Sequence, residues 1–211
     1  MSPLERRLRR ALAGTTEAPP RPVAPLELPM HLGKLIPPLV FKNLQSACVL
    51  VPVMRRPAGL QVLLTLRSET MPSHKGQISF PGGRRQDSDA SAAAAAKREA
   101  EEEAGIPPAA VEVVGYLDDY PTISQYMITP VVGLVEDLAE VKPCAREVAE
   151  IFEVPLAFLL EPKSFERKVF SRDGFNVPFF EVNYGSWRIW GATAGMLWNL
   201  SQKVAAHERE L

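Results

Sequence analysis

Cysteine is scarce in this chain. Its 211 residues include two, Cys48 and Cys144, which lie far apart and lack the close spacing of thiolate metal sites. Cys48 falls within an apolar pattern that is typical of a buried strand. Both residues are therefore expected to be reduced thiols, as in a cytoplasmic protein, and the composition does not support a disulfide scaffold.

Long hydrophobic runs and an excess of charge of either sign are also missing. The longest apolar run, residues 47–54, is far too short to cross a bilayer, and the first residues lack the apolar core of a signal peptide. The formal net charge of −1 provides no general electrostatic attraction for nucleic acid. We therefore expect neither a membrane span nor a nucleic-acid partner. The composition, in contrast, is that of an ordinary globular protein. It has 46% hydrophobic and 23% charged residues and no internal repeat.

The first 44 residues differ from the rest of the chain. Residues 1–13 have a helical pattern, with leucines on one face and arginines around them: Leu4, Leu8 and Leu12, and Arg6, Arg7, Arg9 and Arg10. Such a helix is either a targeting or anionic-surface element or, as we favour, a docked or frayed surface helix. Residues 14–38 are rich in proline and indicate an extended arm that wraps the domain or a partner subunit. We predict this N-terminal region over residues 1–44 and a globular domain over residues 45–211.

Apolar runs within the globular domain predict two hairpins and several further strands. The predicted strands cover residues 46–53, 60–66, 77–80, 111–117, 128–135, 165–170 and 177–182. Residues 147–160 contain a short strand and a helix, and residues 191–208 form a C-terminal helix. Strands of a mixed β-sheet with helices on both faces form an α/β/α sandwich, so the expected fold class is α/β.

The clearest helix in the sequence lies in the middle of the chain. Its candidate N-cap residues are Asp87, Ser88, Asp89 and Ser91. An unbroken alanine run, residues 92–96, favours the helix, and Gly105, followed by Pro107 and Pro108, ends it. Three glutamates near its end, Glu99, Glu102 and Glu103, share one face because positions three and four apart are neighbours on a helix. A fourth, Glu101, points the other way.

These clustered carboxylates have two explanations. A run of acids at a helix end is commonly a solvated face. Like charges at this spacing repel one another, however, and the negative end of the helix dipole adds to the repulsion, so selection for stability alone would not place them there. Hard oxygen ligands on one face suit a divalent cation such as Mg²⁺. The glycine pair Gly82-Gly83, which predicts a tight turn after the preceding strand, lies before the helix. We therefore favour a metal site.

The segment from Gly83 to Ile106 resembles the Nudix box. The second half of that motif reads Arg-Glu-apolar-x-Glu-Glu-x-Gly-apolar, and it is matched by Arg98, Glu99, Ala100, Glu102, Glu103, Gly105 and Ile106. The first half departs from the motif because it is one residue longer and has Ala90 where the box has glutamate. The adjacent Asp89 is a candidate to pair with Arg98 instead.

The sequence before the box resembles the coenzyme A pyrophosphatase subgroup of Nudix hydrolases. The matching residues are Leu63-Leu64-Thr65, Arg67-Ser68, His74-Lys75-Gly76-Gln77, Ile78 and Phe80-Pro81-Gly82-Gly83. The longer box is also typical of this subgroup, whereas Pro72 stands where many members have arginine. The resemblance continues to the C-terminal region and implies the Nudix α/β/α sandwich, Mg²⁺ or Mn²⁺ as cofactor and a small nucleotide of the coenzyme A type as substrate.

The resemblance assigns roles to particular residues. Glu99 and Glu103 are expected as metal ligands, with Glu102 as a further ligand or as the base that takes a proton from water. Arg98 either holds these glutamates in place or forms a surface ion pair. The residues expected to bind substrate are Arg67, His74, Lys75, Gly82 and Gly83. Outside the box, Glu147 or Glu150 is either an additional base or ligand or a solvated acid beside Arg146.

The function expected from these features is hydrolysis of the diphosphate of coenzyme A or an acyl-CoA. The products would be 4′-phosphopantetheine, or its acyl form, and adenosine 3′,5′-bisphosphate. One alternative keeps the chemistry and changes the substrate to a deoxynucleoside triphosphate, ADP-ribose or NADH. Another is a Nudix module that binds a nucleotide without catalysis. A homodimer is possible for such a protein, although no interface can be located in the sequence.

Overall fold

The computed structural model describes residues 1–24, 43–70, 75–136, 141–172 and 175–209. Its helices are α1 (Pro3–Leu12), α2 (Ala92–Ala104), α3 (Leu156–Leu159) and α4 (Ala192–Arg209), with short 3-10 turns at Pro108–Ala110 and Pro162–Ser164. Its strands are β1 (Gln45–Arg56), β2 (Gly59–Arg67), β3 (Ile78–Ser79), β4 (Gly82–Arg84), β5 (Val111–Tyr116), β6 (Tyr120–Pro121), β7 (Tyr126–Val135), β8 (Val148–Pro155), β9 (Glu166–Arg172), β10 (Phe175–Tyr184) and β11 (Trp187–Trp190).

The main sheet is mixed. Within the described residues it has eight strands, and its central path runs β3-β2-β1-β7-β5, with β4 beside β1, β6 beside β7 and β8 beside β2. Strand β1 pairs in parallel with β7, whereas its hairpin partner β2 and the short β4 are antiparallel to it. The second hairpin, β9–β10, continues into β11 and forms a separate three-stranded sheet.

Helices pack on both faces of the main sheet because the side chains of its central strands alternate. In β1, Val49 and Val51 belong to a core shared with α1 and α4, whereas Cys48 and Leu50 belong to a core on the opposite face. Helix α2 covers that opposite face through its alanines, of which Ala95, Ala96 and Ala100 are fully buried. The predicted α/β/α sandwich with a mixed sheet is therefore confirmed.

The structure differs from the prediction at the glycine pair Gly82-Gly83. We expected a tight glycine turn there, but both residues lie in β4 and pair with Val49 and Cys48 of β1. The pairing is very close, since a Cβ atom on Gly82 would lie 2.5 Å from the carbonyl oxygen of Cys48. Glycine is therefore needed for the approach of two backbones rather than for a turn.

The N-terminal helix is docked, as favoured from its pattern. Leu8 and Leu12 are buried in the core beside α4, and the carboxylate of Glu5, also buried, binds Arg9 and Arg55 of β1. The predicted boundary between residues 44 and 45 stays a prediction, and residues 25–42 of the predicted arm lie outside the described residues. None of the described helices is both long and apolar enough to cross a bilayer.

Candidate active site

Helix α2 begins and ends where its capping residues predicted. The hydroxyl of Ser91 accepts a hydrogen bond from the Ala94 N–H at 2.9 Å, so Ser91 is the N-cap among the candidates considered. Gly105 adopts a left-handed conformation with φ of 67°, and the Ile106 N–H bonds back to the Ala100 carbonyl. These two caps fix the segment that carries the glutamates.

Glu103 is the most deeply buried of these glutamates, with 3% of its surface exposed. The Gly82 N–H of β4 donates to its Oε2 at 3.3 Å, and Nη1 of Arg67 lies 3.8 Å from its Oε1. Burial raises the pKa of Glu103 to about 7, and the negative charges of Glu99 and Glu147 act in the same direction. The folded chain therefore holds a carboxylate that is poorly stabilised as an anion by its own surroundings.

Glu99 lies one turn before Glu103 and faces the other glycine of β4. A Cβ atom on Gly83 would lie 2.7 Å from the carboxyl carbon and both oxygens of Glu99, so the absence of a side chain makes room for this carboxylate. Burial raises the pKa of Glu99, and a 2.8 Å hydrogen bond from Arg98 opposes this effect. Glu99 and Glu103 therefore both lie against the glycines of β4, and their role as metal ligands stays a prediction.

Arg98 links the box helix to the loop before it. Its Nε and Nη2 each donate to the Asp89 carboxylate at 3.0 Å, and its Nη1 lies 2.8 Å from Glu99 and 3.4 Å from Glu102. The hydrogen bond from Arg98 lowers the pKa of Asp89, which stays ionised. Asp89 therefore pairs with Arg98 at the place where Ala90 interrupts the box motif.

Glu102 is set apart from the buried pair. Its side chain is 58% exposed, and its carboxylate lies 3.4 Å from Nη1 of Arg98. Among the described residues, no three acidic, histidine or cysteine side chains converge closely enough to hold a metal ion. The expected grouping of three glutamates is therefore present on one helical face, but only Glu99 and Glu103 lie against β4.

Arg67 lies beside Glu103, one of these carboxylates. The Nε of Arg67, at the end of β2, is buried without a hydrogen-bond partner in the described part of the chain, which leaves a donor for a bound molecule. Lys75 is exposed in the turn before β3, and the neighbouring Gly76 N–H bonds to the Arg67 carbonyl. His74 and Pro72 lie outside the described residues.

Of the two acids considered outside the box, Glu147 is nearer to the site. Its backbone carbonyl accepts a hydrogen bond from Ser68, and its charge contributes to the raised pKa of both Glu99 and Glu103. Glu150 is exposed on β8, opposite Leu66. The geometry therefore favours Glu147 as the acid that faces the buried pair.

One residue of the site region was not singled out in the sequence. Glu17, in the N-terminal arm, places its Oε2 atom 3.0 Å from the Ala92 N–H and 3.4 Å from the Ala93 N–H at the start of α2. The sequence does contain one indication that a distant acid caps this helix, because the first turn of α2 contains no acid to interact with its helix dipole. That indication does not say which distant residue supplies the carboxylate.

The buried carboxylates, the close glycine strand and the arginine beside them define a site suited to a cation and an anionic substrate. A model of the NUDIX domain matches residues 45–173, and the chain belongs to the Nudix family. The uncharacterized Nudix hydrolase NudL of Escherichia coli strain K12 / DH10B is 42% identical over 163 residues, which cover 77% of this chain and 84% of that protein. Its counterpart in Cronobacter sakazakii is 39% identical over the same coverage.

Solved structures share the fold at lower similarity. A MutT/nudix family protein from Enterococcus faecalis has a TM-score of 0.49 and 12% identity over 81% of this chain and 64% of its own. A C. elegans Ap4A hydrolase binary complex has a TM-score of 0.44 and 18% identity over 53% of this chain and 80% of its own. The family of this chain rests on the domain match and on the NudL relatives.

Proposed function

We propose that this protein hydrolyses the diphosphate bond of coenzyme A or an acyl-CoA with the help of Mg²⁺ or Mn²⁺. The products are 4′-phosphopantetheine, or its acyl form, and adenosine 3′,5′-bisphosphate. The observation that carries the proposal is the pair of buried carboxylates, Glu99 and Glu103, packed against the glycines of β4 with Arg67 3.8 Å from Glu103. A Nudix hydrolase acting on a nucleoside diphosphate derivative is the broader class to which this reaction belongs.

Two of the glutamates fit a divalent cation that would take its remaining ligands from water, backbone oxygens or the substrate. Nudix hydrolases generally use Mg²⁺ or Mn²⁺, and both ions prefer oxygen ligands. Glu99 and Glu103 offer carboxylate oxygens whose anionic forms are disfavoured by burial and by neighbouring carboxylates, as their raised pKa values indicate. A bound cation would neutralise the charge of the diphosphate, orient it and make water more acidic. Glu99 and Glu103 are the residues that would hold it.

The remaining box residues act on water and on the glutamates. Glu102 is exposed and lies on the same helical face, so it is placed to take the proton from the attacking water or to complete the ligand set. Arg98 keeps Glu99 and Glu102 oriented through its own fixed pairing with Asp89. In this proposal Arg98 orients the carboxylates, and Glu99, Glu102 and Glu103 supply the oxygen atoms.

The substrate's phosphates are proposed to lie beside β4 and Arg67, at the end of β2. Arg67 has a buried donor that a phosphate oxygen would satisfy, and an arginine suits a diphosphate because its donors are fixed in a plane. Lys75, exposed in the turn before β3, would add a positive charge, and His74, which lies outside the described residues, is proposed as a substrate-binding residue from the sequence alone. Gly82 and Gly83 would bind substrate through their backbone groups only, because the space of a side chain is taken by β1 at Gly82 and by the Glu99 carboxylate at Gly83. The coenzyme A assignment itself rests on the residues around Arg67 to Gly83 that resemble the pyrophosphatase subgroup.

The substrate is tested by competition and by direct comparison. Purified protein is incubated separately with coenzyme A, ADP-ribose, NADH and dGTP in Mg²⁺ or Mn²⁺, and the initial rates are compared. Coenzyme A should be cleaved with the highest kcat/KM and should inhibit cleavage of the others. If coenzyme A neither reacts nor competes, the Nudix chemistry remains and the subgroup assignment is wrong. Binding of metal and nucleotide without any cleavage would instead support a non-catalytic module.

The site is tested with matched charge-neutral variants on one helix. Glu103→Gln removes the buried carboxylate, and turnover should fall by at least about a thousandfold, as expected for a group that acts in the transition state. Glu101→Gln changes the same residue type two positions earlier, where the side chain is exposed and directed away from β4. That variant should keep nearly full turnover. Equal activity of the two variants would place catalysis elsewhere.

Two further properties belong to the proposal. A nucleotide hydrolase of this kind is expected to act in the cytoplasm, in agreement with two free cysteines.

A homodimer also remains part of the prediction. Size-exclusion chromatography with light scattering would decide it, because a monomeric mass at micromolar concentration would contradict the dimer.

A further inference from the structure

The start of the box helix is capped from a distant part of the chain. Glu17 lies 75 residues before Ala92, and its Oε2 accepts from the Ala92 and Ala93 N–H groups at 3.0 and 3.4 Å. Ser91 accepts from the next N–H through its hydroxyl, and its carbonyl accepts from Ala95. The first four N–H groups of a helix have no partner within it, so Glu17 completes a cap that Ser91 alone leaves unfinished.

The negative charge of Glu17 stabilises α2 because the charges of the helix itself are placed unfavourably. Helix α2 carries Glu101, Glu102 and Glu103 in its last turn, and it has no basic residue there and no acid in its first turn. This distribution is opposite to the one that the helix dipole favours. The carboxylate of Glu17 supplies the missing negative charge at the N-terminal end. The arm therefore offsets part of the destabilisation that the site's own glutamates impose.

Glu17 is held in place by the rest of the arm. The hydroxyl of Thr15 accepts from the Tyr116 N–H at 2.9 Å, and the Tyr116 hydroxyl donates to Glu17 at 3.3 Å. Arg21 forms a 2.7 Å ion pair with Asp119, in which both side chains are largely buried, and it also bonds to the Leu117 carbonyl. The arm is thus fixed on both sides of Glu17 to the segment that contains the end of β5.

Gly115 provides the space for this arrangement. It lies in β5, where the pairing with β7 shifts register, and has φ of 154°. A Cβ atom there would lie 2.5 Å from the Thr15 hydroxyl and 2.7 Å from Cβ of Leu12. The arm can therefore lie in this position only because residue 115 has no side chain.

The cap can influence the glutamates because it acts on the same helix, alongside the Lys97 side chain, which donates to the Pro108 and Val111 carbonyls, and alongside the Arg98–Asp89 pair. The buried face of the helix consists mainly of alanines, such as Ala95, Ala96 and Ala100, whose single methyl groups do not interlock deeply with the sheet. Glu99 and Glu103 lie seven and eleven residues after Ala92, or about 10 and 16 Å along a rigid helix. A shift at the first turn is transmitted to both carboxylates.

We propose that Glu17 is a positioning residue of the active site. Through its cap on α2 the N-terminal arm fixes Glu99 and Glu103 against Gly82 and Gly83, and so sets the affinity of the site for its divalent cation. The inference rests on the proposed function in that it takes this pair to be the cation site. It adds a contribution of the arm that lies outside the Nudix box.

The test measures Mn²⁺ binding directly, by electron paramagnetic resonance of free Mn²⁺, alongside turnover and melting temperature. Glu17→Ala removes the acceptor and the charge, whereas Glu17→Gln keeps an acceptor oxygen. Mn²⁺ affinity should fall on the order of tenfold in Glu17→Ala, as for other residues that orient metal ligands, and less in Glu17→Gln. Hydrogen exchange at Ala92 and Ala93 should accelerate in the same order.

Two controls separate positioning from general stability. Val182→Ala shortens a fully buried side chain in β10 and lowers the melting temperature without touching the arm or α2. Glu161→Gln removes an exposed carboxylate outside both. Both variants should bind Mn²⁺ like the wild type. If Glu17→Ala melts lower but binds Mn²⁺ with unchanged affinity, Glu17 has a structural role only and the inference is wrong.

Gly115→Ala gives an independent route to the same outcome because it displaces the arm while Glu17 remains. It should reproduce the loss of Mn²⁺ affinity, and normal affinity in a folded Gly115→Ala would contradict the inference. Should that variant fail to fold, the comparison of Glu17→Gln with Glu161→Gln decides the question alone. Failure of the proposed function would appear differently, as a wild-type protein that binds Mn²⁺ but does not cleave coenzyme A.

Discussion

The two glycines of β4 offer a sharp test because a methyl group at each would meet different atoms. At Gly83 it would lie 2.7 Å from the carboxylate of Glu99, which is the end of a flexible side chain. At Gly82 it would lie 2.5 Å from the Cys48 carbonyl and 2.7 Å from the Val49 Cα, which are backbone atoms of β1. Adjacent substitutions of the same kind should therefore have different consequences.

Gly83→Ala should impair function more than stability. The Glu99 carboxylate must move by roughly 0.7 Å to regain an ordinary contact distance. A displacement of this size in a catalytic group reduces turnover by about ten- to a hundredfold. Since only a side chain moves, the melting temperature should change by less than about 2 °C. Mn²⁺ affinity should fall together with kcat/KM for coenzyme A.

Gly82→Ala should impair stability first. Its methyl group pushes β4 away from β1, and overpacking of this kind costs about 1–3 kcal/mol. For a domain of this size the melting temperature should drop by roughly 5 °C. Thermal unfolding and steady-state kinetics of both variants give the comparison. The reasoning would be refuted if Gly83→Ala kept full activity, or if it destabilised the protein as much as Gly82→Ala.

Three further outcomes follow from the geometry. Asp89→Asn should lower turnover about tenfold, because Arg98 loses its charged partner and no longer holds Glu99 and Glu102, and kcat measured against the wild type checks this. Arg55 holds the pKa of Glu5 below its usual value of 4.5. The stabilisation from Glu5 is therefore fully present above pH 4.5 and is lost as the pH falls through the lower pKa of the folded state. Urea unfolding should show that the difference in free energy of unfolding between the wild type and Glu5→Gln disappears in acid. Burial raises the pKa of Cys48 to about 11, so mass spectrometry should find this thiol unmodified by iodoacetamide at pH 8 until the protein is unfolded.

The sequence was sufficient for the elements whose signals are local. Ser91 and Gly105 bound α2 where capping residues are expected, and the apolar run over residues 46–53 predicted the strand β1. The box motif brought together Glu99 and Glu103 because a helical repeat fixes their separation. These predictions needed no knowledge of distant parts of the chain.

Features that depend on tertiary approach were not predictable in the same way. Two adjacent glycines have low strand propensity, so Gly82-Gly83 indicated a turn, and only the proximity of Cys48 and Val49 makes them a strand. Glu102 lies apart from the buried pair because of the way α2 is rotated against the sheet. The cap by Glu17 joins residues 75 positions apart, a separation that no local pattern specifies.

The product of the reaction with coenzyme A tests the central claim most directly. Wild-type protein and Glu103→Gln are incubated with coenzyme A and Mn²⁺ in ¹⁸O-labelled water, and the products are identified by mass. The account predicts 4′-phosphopantetheine and adenosine 3′,5′-bisphosphate, with one labelled oxygen in one of the two, from the wild type and not from the variant. Intact coenzyme A after incubation with the wild type, or equal product from Glu103→Gln, would contradict it.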